Sequence, residues 1–241
     1  MKWYLNCDLS RDIMIRKGGV LLRDFPIFTT DFGVSSLVLK EVPYRKEAYI
    51  RIRDASVEHF AAHLEECVEF CKMAGAERIF AAGHDCLEAY PLYTTVLEMR
   101  STVQVNPEQM ANLFPVTEQT VSRWRSIYNE RMRGVDNATT LESRDEKQIL
   151  TSGGAYFVHR EGQLLGIGWM QDSKVLAMAS VVPGAGEAVL RTLLSLASQE
   201  QATLEVASTN HRAIRLYKKM GFLVVREVSR WYCVYAQKTD E

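Results

Sequence analysis

Asn210-His211-Arg212-Ala213-Ile214-Arg215-Leu216-Tyr217-Lys218-Lys219-Met220-Gly221-Phe222 is the stretch on which the reading of this chain turns. An asparagine at its head can accept a hydrogen bond from the unsatisfied N–H groups of a first helical turn, so it starts a helix. His211 to Met220 continues that helix. Gly221, able to take the left-handed conformation, stops it. Phe222 then opens a strand.

The chain upstream has the same legibility. Ala155 to His159 and Leu164 to Met170 read as strands joined at Arg160-Glu161-Gly162, a hairpin signal. Val175 to Val182 is a nearly unbroken apolar run, the pattern of a central strand covered on both faces. Pro183 to Gly186 interrupts it. Val189, Leu190, Leu193, Leu194, Leu196 and Ala197 then mark an amphipathic helix, and Thr203 to Val206 a further strand. Phe222 to Val225 and Trp231 to Tyr235 read as two closing strands. Strand, glycine turn, helix, strand, helix, strand is an α/β order, whose ligand end lies beyond the carboxyl ends of the strands, near Val182 and 206–208. The turn Pro183-Gly184-Ala185-Gly186-Glu187-Ala188 suits an anion, because glycines admit close approach and a helix N-terminus presents N–H groups and a positive dipole end. A tight turn without a ligand is the alternative reading of those residues taken alone.

Asn210 to Phe222 resembles the N-x-x-A-x-x-L-Y-x-x-x-G-F signature of the GNAT superfamily of N-acetyltransferases, with every named position filled. The upstream order of elements is similar to that family too, over about Val116 to Tyr235. The resemblance implies an α/β fold with a mixed central sheet and flanking helices, whose central strands splay to admit acyl-CoA. It implies that backbone groups of Val181 and Val182 pair with the pantetheine arm. The N–H groups of Gly184, Ala185, Gly186, Glu187 and Ala188 would hold the pyrophosphate, and Asn210 would touch the cofactor. Tyr217 would protonate the departing thiolate, a role that suits a phenol, which stays protonated at neutral pH. In the family's phosphate loop, Q/R-x-x-G-x-G/A, Gly186-Glu187-Ala188 fills the last places and Pro183 stands where Gln or Arg is usual. The central strand offers no carboxylate as base. Glu205 on the next strand and Asp172 before the central one remain, with Glu205 preferred because its strand borders the expected cleft; ordered water is an alternative proton acceptor.

Toward the N-terminus, Val34 to Lys40, Ala48 to Arg53, Arg78 to Ala82 and Thr94 to Val103 read as strands. Ser56 to Ala74 reads as a helix capped by Ser56, with Val57, Phe60, Ala61, Leu64, Val68 and Cys71 as its buried stripe. His59, His63, Cys67 and Cys71 recur every four residues on it. A metal reading fails on geometry, since ligands strung along one helix cannot surround an ion; surface histidines and core cysteines are expected. The order from Ala48 to Val103 parallels the C-terminal core, and Leu87 to Tyr93 suggests a degraded Asn-to-Tyr helix. A second, degenerate copy of the same fold, a tandem protein, is the expectation, with an unrelated α/β domain as the alternative. The polar stretch Gln104 to Asn112 places the boundary: an N-terminal α/β domain over 1–105 and the acyltransferase-like domain over 113–241.

The 241 residues are 47 % hydrophobic and 24 % charged, with a net charge of −1, so no global field favours nucleic acid or an acidic membrane. No run is long enough to span a bilayer, and the first residues carry no leader-like apolar core. The five cysteines (Cys7, Cys67, Cys71, Cys86, Cys233) lack disulfide spacing, which fits a cytoplasmic setting. The expected activity is acetyl transfer from acetyl-CoA to a primary amine of a small molecule or peptide, without metal, by a monomer or homodimer. A catalytically silent module that senses acyl-CoA is the rival, and transfer from another acyl or aminoacyl donor a third reading.

Overall fold

The computed structural model describes residues 25–102, 110–197 and 201–237. The N-terminal stretch read for a leader, Cys7 with it, and most of the polar boundary segment lie outside these residues. The chain divides into two compact units, 1–95 with 229–241, and 96–228.

In the first unit, β1 (Ile27–Thr30), β2 (Gly33–Val38), β3 (Glu47–Ala55) and β4 (Arg78–Ala82) lie side by side, with α1 (Val42–Arg45) and α2 (Phe60–Met73) between them in sequence. β1, β2 and β3 are antiparallel, and β3 and β4 are parallel through the α2 crossover. The outer neighbour of β4 is the end of the last strand, β11 (Leu223–Ala236), antiparallel through Tyr232↔Ala81 and Cys233↔Phe80. Leu37, Ile50, Ile79, Phe60, Leu64 and Cys71 form the core between sheet and helix.

The second unit begins within β5 (Leu92–Thr102). Its other strands are β6 (Asn112–Pro115), β7 (Ala155–Arg160), β8 (Gln163–Gln171), β9 (Lys174–Ser180) and β10 (Gln201–Ala207). Their order is β6-β7-β8-β9-β10-β5, antiparallel except for the parallel pair β9 and β10. α5 (Gly186–Leu194) makes the β9-to-β10 crossover and α6 (His211–Lys219) follows β10. Both helices share an apolar cluster with Met99, Leu204, Val206 and Phe222. α5 reaches the sheet closely because β8 offers glycines: a Cβ on Gly166 would meet Val189 Cγ2 at 2.8 Å, and one on Gly168 would meet Leu193 Cδ1 at 2.2 Å. On the other face, α3 (Val121–Met132) seats the fully buried Trp124 against Trp169, centroids 5.9 Å apart, and its indole donates to Tyr156 O. α4 (Glu146–Ser152) completes the helices.

Several elements depart from the sequence expectations. The two closing strands are one continuous strand, β11, because no turn residue separates Val225 from Trp231. Ser56 Oγ accepts from His59 N–H at 3.3 Å, so it caps the turn that leads into α2 and not the first turn of the helix itself. The helix starts at Phe60 after His59, so Val57 lies in the preceding turn and is 75 % exposed. Leu87 to Tyr93 is no degraded helix: a single 3-10 turn, Asp85–Ala89, is capped by His84, and Pro91 ends it.

His63 is the plainest correction. Expected at the surface, it is fully buried: Nδ1 bonds Thr30 Oγ1 at 2.9 Å and Nε2 bonds Ser35 Oγ at 2.7 Å. The strands β1 and β2 pack over a helix face that the periodicity left polar. Cys67 and Cys71 are buried as expected, and desolvation pushes their thiols up to about 11 and about 12. Desolvation lowers His63 from its usual 6.5, against a smaller opposing effect of Glu66. Its stabilising contribution is therefore present above about pH 6.5 and is lost as the pH falls through the lower folded-state value. Thermal unfolding followed from pH 7.5 to pH 4.5 should show the first unit weakening in that window. His63→Gln should flatten this slope, and an unchanged slope would assign the acid sensitivity elsewhere.

Candidate active site

The two parallel pairs behave differently. In the first unit β3 and β4 pair continuously from Glu47↔Arg78 to Arg51↔Ala82. Gly83, at φ +101, then brings its backbone so close to β3 that a Cβ would sit 2.5 Å from Ile52 O. In the second unit β9 and β10 pair only at Thr203↔Lys174 and Leu204↔Val175. Beyond those pairs the strands run on to Ser180 and Ala207 without bonding each other, which leaves a notch between two backbone edges. Antiparallel alternation decides what lines it. Val181 N–H donates to Leu165 O at 2.8 Å, so odd-numbered β9 residues near it bond β8. Met178 and Ser180 turn their peptide groups toward the notch.

Val181 and Val182 are accordingly occupied. Both N–H groups donate to Leu165 O; Val181 O accepts from Arg131 at 3.3 Å and Val182 O from Ala185 N–H at 3.2 Å. The backbone edge that faces the gap is Met178 and Ser180. No sequence signal distinguishes these residues from their neighbours, since hydrogen-bond phase depends on the bulge between Trp169 and Met170.

At the mouth, the chain turns through Gly184 (φ +81) into α5, whose N-cap Ala185 has no side chain to offer. Among the described residues, no protein acceptor takes the N–H groups of Gly186, Glu187 and Ala188. A side chain at Gly186 would crowd Leu216 Cδ2 at 3.1 Å. Open N–H groups at the positive end of a helix form an anion cradle. Glu187 is not left bare there: its carboxylate bonds Arg191 at 2.9 Å and Lys219 at 2.5 Å. Lys219, then Arg191, hold its carboxyl below the ordinary range.

Asn210 caps α6 as read, Oδ1 accepting from Ala213 N–H at 3.1 Å. Tyr217 lies in the cluster with Leu204, Val206 and Phe222, its ring 6.0 Å from that of Phe222. Burial alone pushes its phenol up to about 12. Glu205 lies on the other face of β10 by strand alternation, so the fold does not bring it to Tyr217. Its carboxylate bonds Lys174 Nζ at 2.6 Å. Burial, the largest single effect, would raise this carboxyl, but the Lys174 hydrogen bond and the other favourable bonds and charges around it together outweigh burial and leave it below the ordinary range. The last turn of α3 and the segment after it touch both sides of the notch: Arg131 reaches Val181 O, and Asp136 accepts from Thr209 at 2.6 Å. Composition gave no sign of these two contacts. Asp172, at φ +53, sits in the β8–β9 turn, at the opposite end of β9 from the mouth.

Among the described residues no three His, Cys, Asp or Glu side chains converge as metal ligands, and no helix is long and apolar enough to cross a membrane.

Residues 121–222 match the model of the acetyltransferase (GNAT) family. Among solved structures, a conserved Staphylococcus epidermidis protein of unknown function is similar at a TM-score of 0.54 and 9 % identity, covering 88 % of this chain and 94 % of that one. A GCN5-related N-acetyltransferase from Sphaerobacter thermophilus is similar at a TM-score of 0.51 and 12 % identity, covering 85 % and 78 %. At these identities the likeness concerns the fold. No curated protein matches the sequence.

Proposed function

We propose, from the match of residues 121–222 to the acetyltransferase (GNAT) family, that the protein transfers an acyl group, acetyl in the simplest case, from acyl-CoA to a primary amine. The observation that carries this reading is the notch between β9 and β10, which ends in the open N–H groups of Gly186 to Ala188, with Tyr217 in the apolar cluster that holds Leu204 and Val206 of β10. An extended amide-bearing arm fits between strand edges as an added strand does, and its pyrophosphate falls at the positive end of α5.

In this reading the amine nitrogen attacks the thioester carbonyl, the C–N bond forms and the C–S bond breaks. The electron pair leaves on sulfur. Tyr217 donates its phenolic proton toward that sulfur and is reprotonated from solvent. A phenol raised to about 12 is a weak acid, but the same desolvation raises the departing thiol, so donor and acceptor shift together. The amine's proton leaves through water in the notch. Glu205, ion-paired and shifted down, is a weak acceptor for it.

That same ion pair favours one other reading, a module that binds acyl-CoA without turnover. Calorimetry with CoA, followed by thiol release from acetyl-CoA across a panel of primary amines, separates the possibilities. Binding with release supports the transferase; binding without release to any amine selects the module. Absence of heat with CoA would sink both.

A further inference from the structure

Resting on that CoA-binding reading, we propose that Glu187 is an internal counter-anion of the phosphate cradle, holding Lys219 in reserve until an incoming phosphate displaces it. Glu187 stands in the first turn of α5, among the N–H groups that have no protein acceptor. One carboxylate oxygen is bound to Arg191 at 2.9 Å, one turn further along the same helix. The other is bound to Lys219 at 2.5 Å, in the last turn of α6. Two cations and one anion are thus gathered beside a helix N-terminus, with an excess of one positive charge.

The two cations differ in freedom. Arg191 is the more enclosed, its side chain 19 % exposed, and its Nη2 also lies 3.9 Å from Met220 Sδ. Lys219 is 69 % exposed and held by Glu187. A flexible four-carbon stem lets its ammonium leave the carboxylate for a nearby phosphate oxygen at little cost. A pyrophosphate bridge, with two negative charges in all, offers more charge than the carboxylate and adds bonds to the open N–H groups, so it wins the lysine when it binds. Glu187 then remains with Arg191, an i,i+4 pair within one helix. The loop before α5 holds Pro183 and no cation (Pro183-Gly184-Ala185), so Lys219 supplies from α6 a charge that this turn does not.

The carboxylate opposes binding in two ways, by occupying Lys219 and by repelling the phosphate. Calorimetry with CoA on the full chain tests this. Glu187→Gln should tighten CoA binding about fivefold, and Lys219→Met should weaken it about tenfold and reduce its salt dependence. Lys219→Arg should recover most of the loss. With acetyl-pantetheine, which lacks phosphates, kcat/KM for both Glu187→Gln and Lys219→Met should stay within about twofold of the parent. If Glu187→Gln binds CoA no more tightly than the parent, or if pantetheine turnover falls in parallel, the pair is merely an interhelical tie and the inference is overturned. Failure of the unsubstituted protein to bind CoA would instead overturn the reading on which it rests.

Discussion

Replacing Tyr217 by phenylalanine is expected to lower kcat for acetyl-CoA by about two orders of magnitude, while the Kd for CoA moves by less than about twofold. The substitution keeps the ring that packs in the cluster with Leu204, Val206 and Phe222 and removes only the hydroxyl. Burial is the sole cause of the phenol's shift, so no charged partner is orphaned by the change and the stability cost should be about 1 kcal/mol or less. The pH profile carries independent information. A phenol at about 12 stays protonated through the neutral and mildly alkaline range, so kcat/KM should rise with pH as the acceptor amine loses its proton, without a falling limb from Tyr217. Turnover unchanged in Tyr217→Phe would remove this residue from the mechanism. A parallel fall in CoA affinity would make its role structural.

Deleting residues 229–241 should unfold the first unit and leave the second protected. Those residues give β4 its outer neighbour, pairing Tyr232 with Ala81, Cys233 with Phe80 and Tyr235 with Ile79. They also bring Trp231 edge-on to Tyr49 at 5.5 Å and bury Tyr232 in the core. Loss of two buried aromatics costs about 3–5 kcal/mol each, comparable with the whole stability of a small domain, and leaves β4 a bare edge. Hydrogen exchange should show β3 and β4 amides exchanging freely and β8, β9 and β10 amides still protected. The reciprocal cut makes the same point: a chain that begins at 113 lacks 96–102, the strand that pairs with β10 from Ala207↔Val96 to Gln201↔Thr102 and carries the fully buried Met99. Such a fragment should aggregate. If it folds and binds CoA, the strand from the N-terminal part is dispensable.

Some of this molecule was written locally. Asn210 and Gly221 bound α6 because a cap and a left-handed stop are single-residue chemistry, visible without neighbours. The apolar run Val175 to Val182, the glycine turn and α5 followed for the same reason: periodicity and breakers act over a few residues. That much fixes a β-α-β-α domain and points to the turn before α5, where the cofactor's phosphates are proposed to bind.

What the tertiary structure alone decided depends on partners distant in sequence. Whether a parallel pair is zipped or splayed cannot be read from β3–β4 or β9–β10, whose sequences are similarly apolar. Gly83 lying against Ile52 O marks the closed pair, and pairing that stops at Val175↔Leu204 opens the other. The phase of the β8–β9 ladder turned Met178 and Ser180, and not Val181 and Val182, toward the gap. His63 changed from surface to core because β1 and β2, some thirty residues earlier, cover its helix face. The exchange of strands, 96–102 to one unit and 229–236 to the other, arises from hydrogen bonds between segments about a hundred residues or more apart. Short-range patterns specify elements; which edges meet, and which stay apart for a ligand, is settled only when distant strands compete for the same hydrogen bonds.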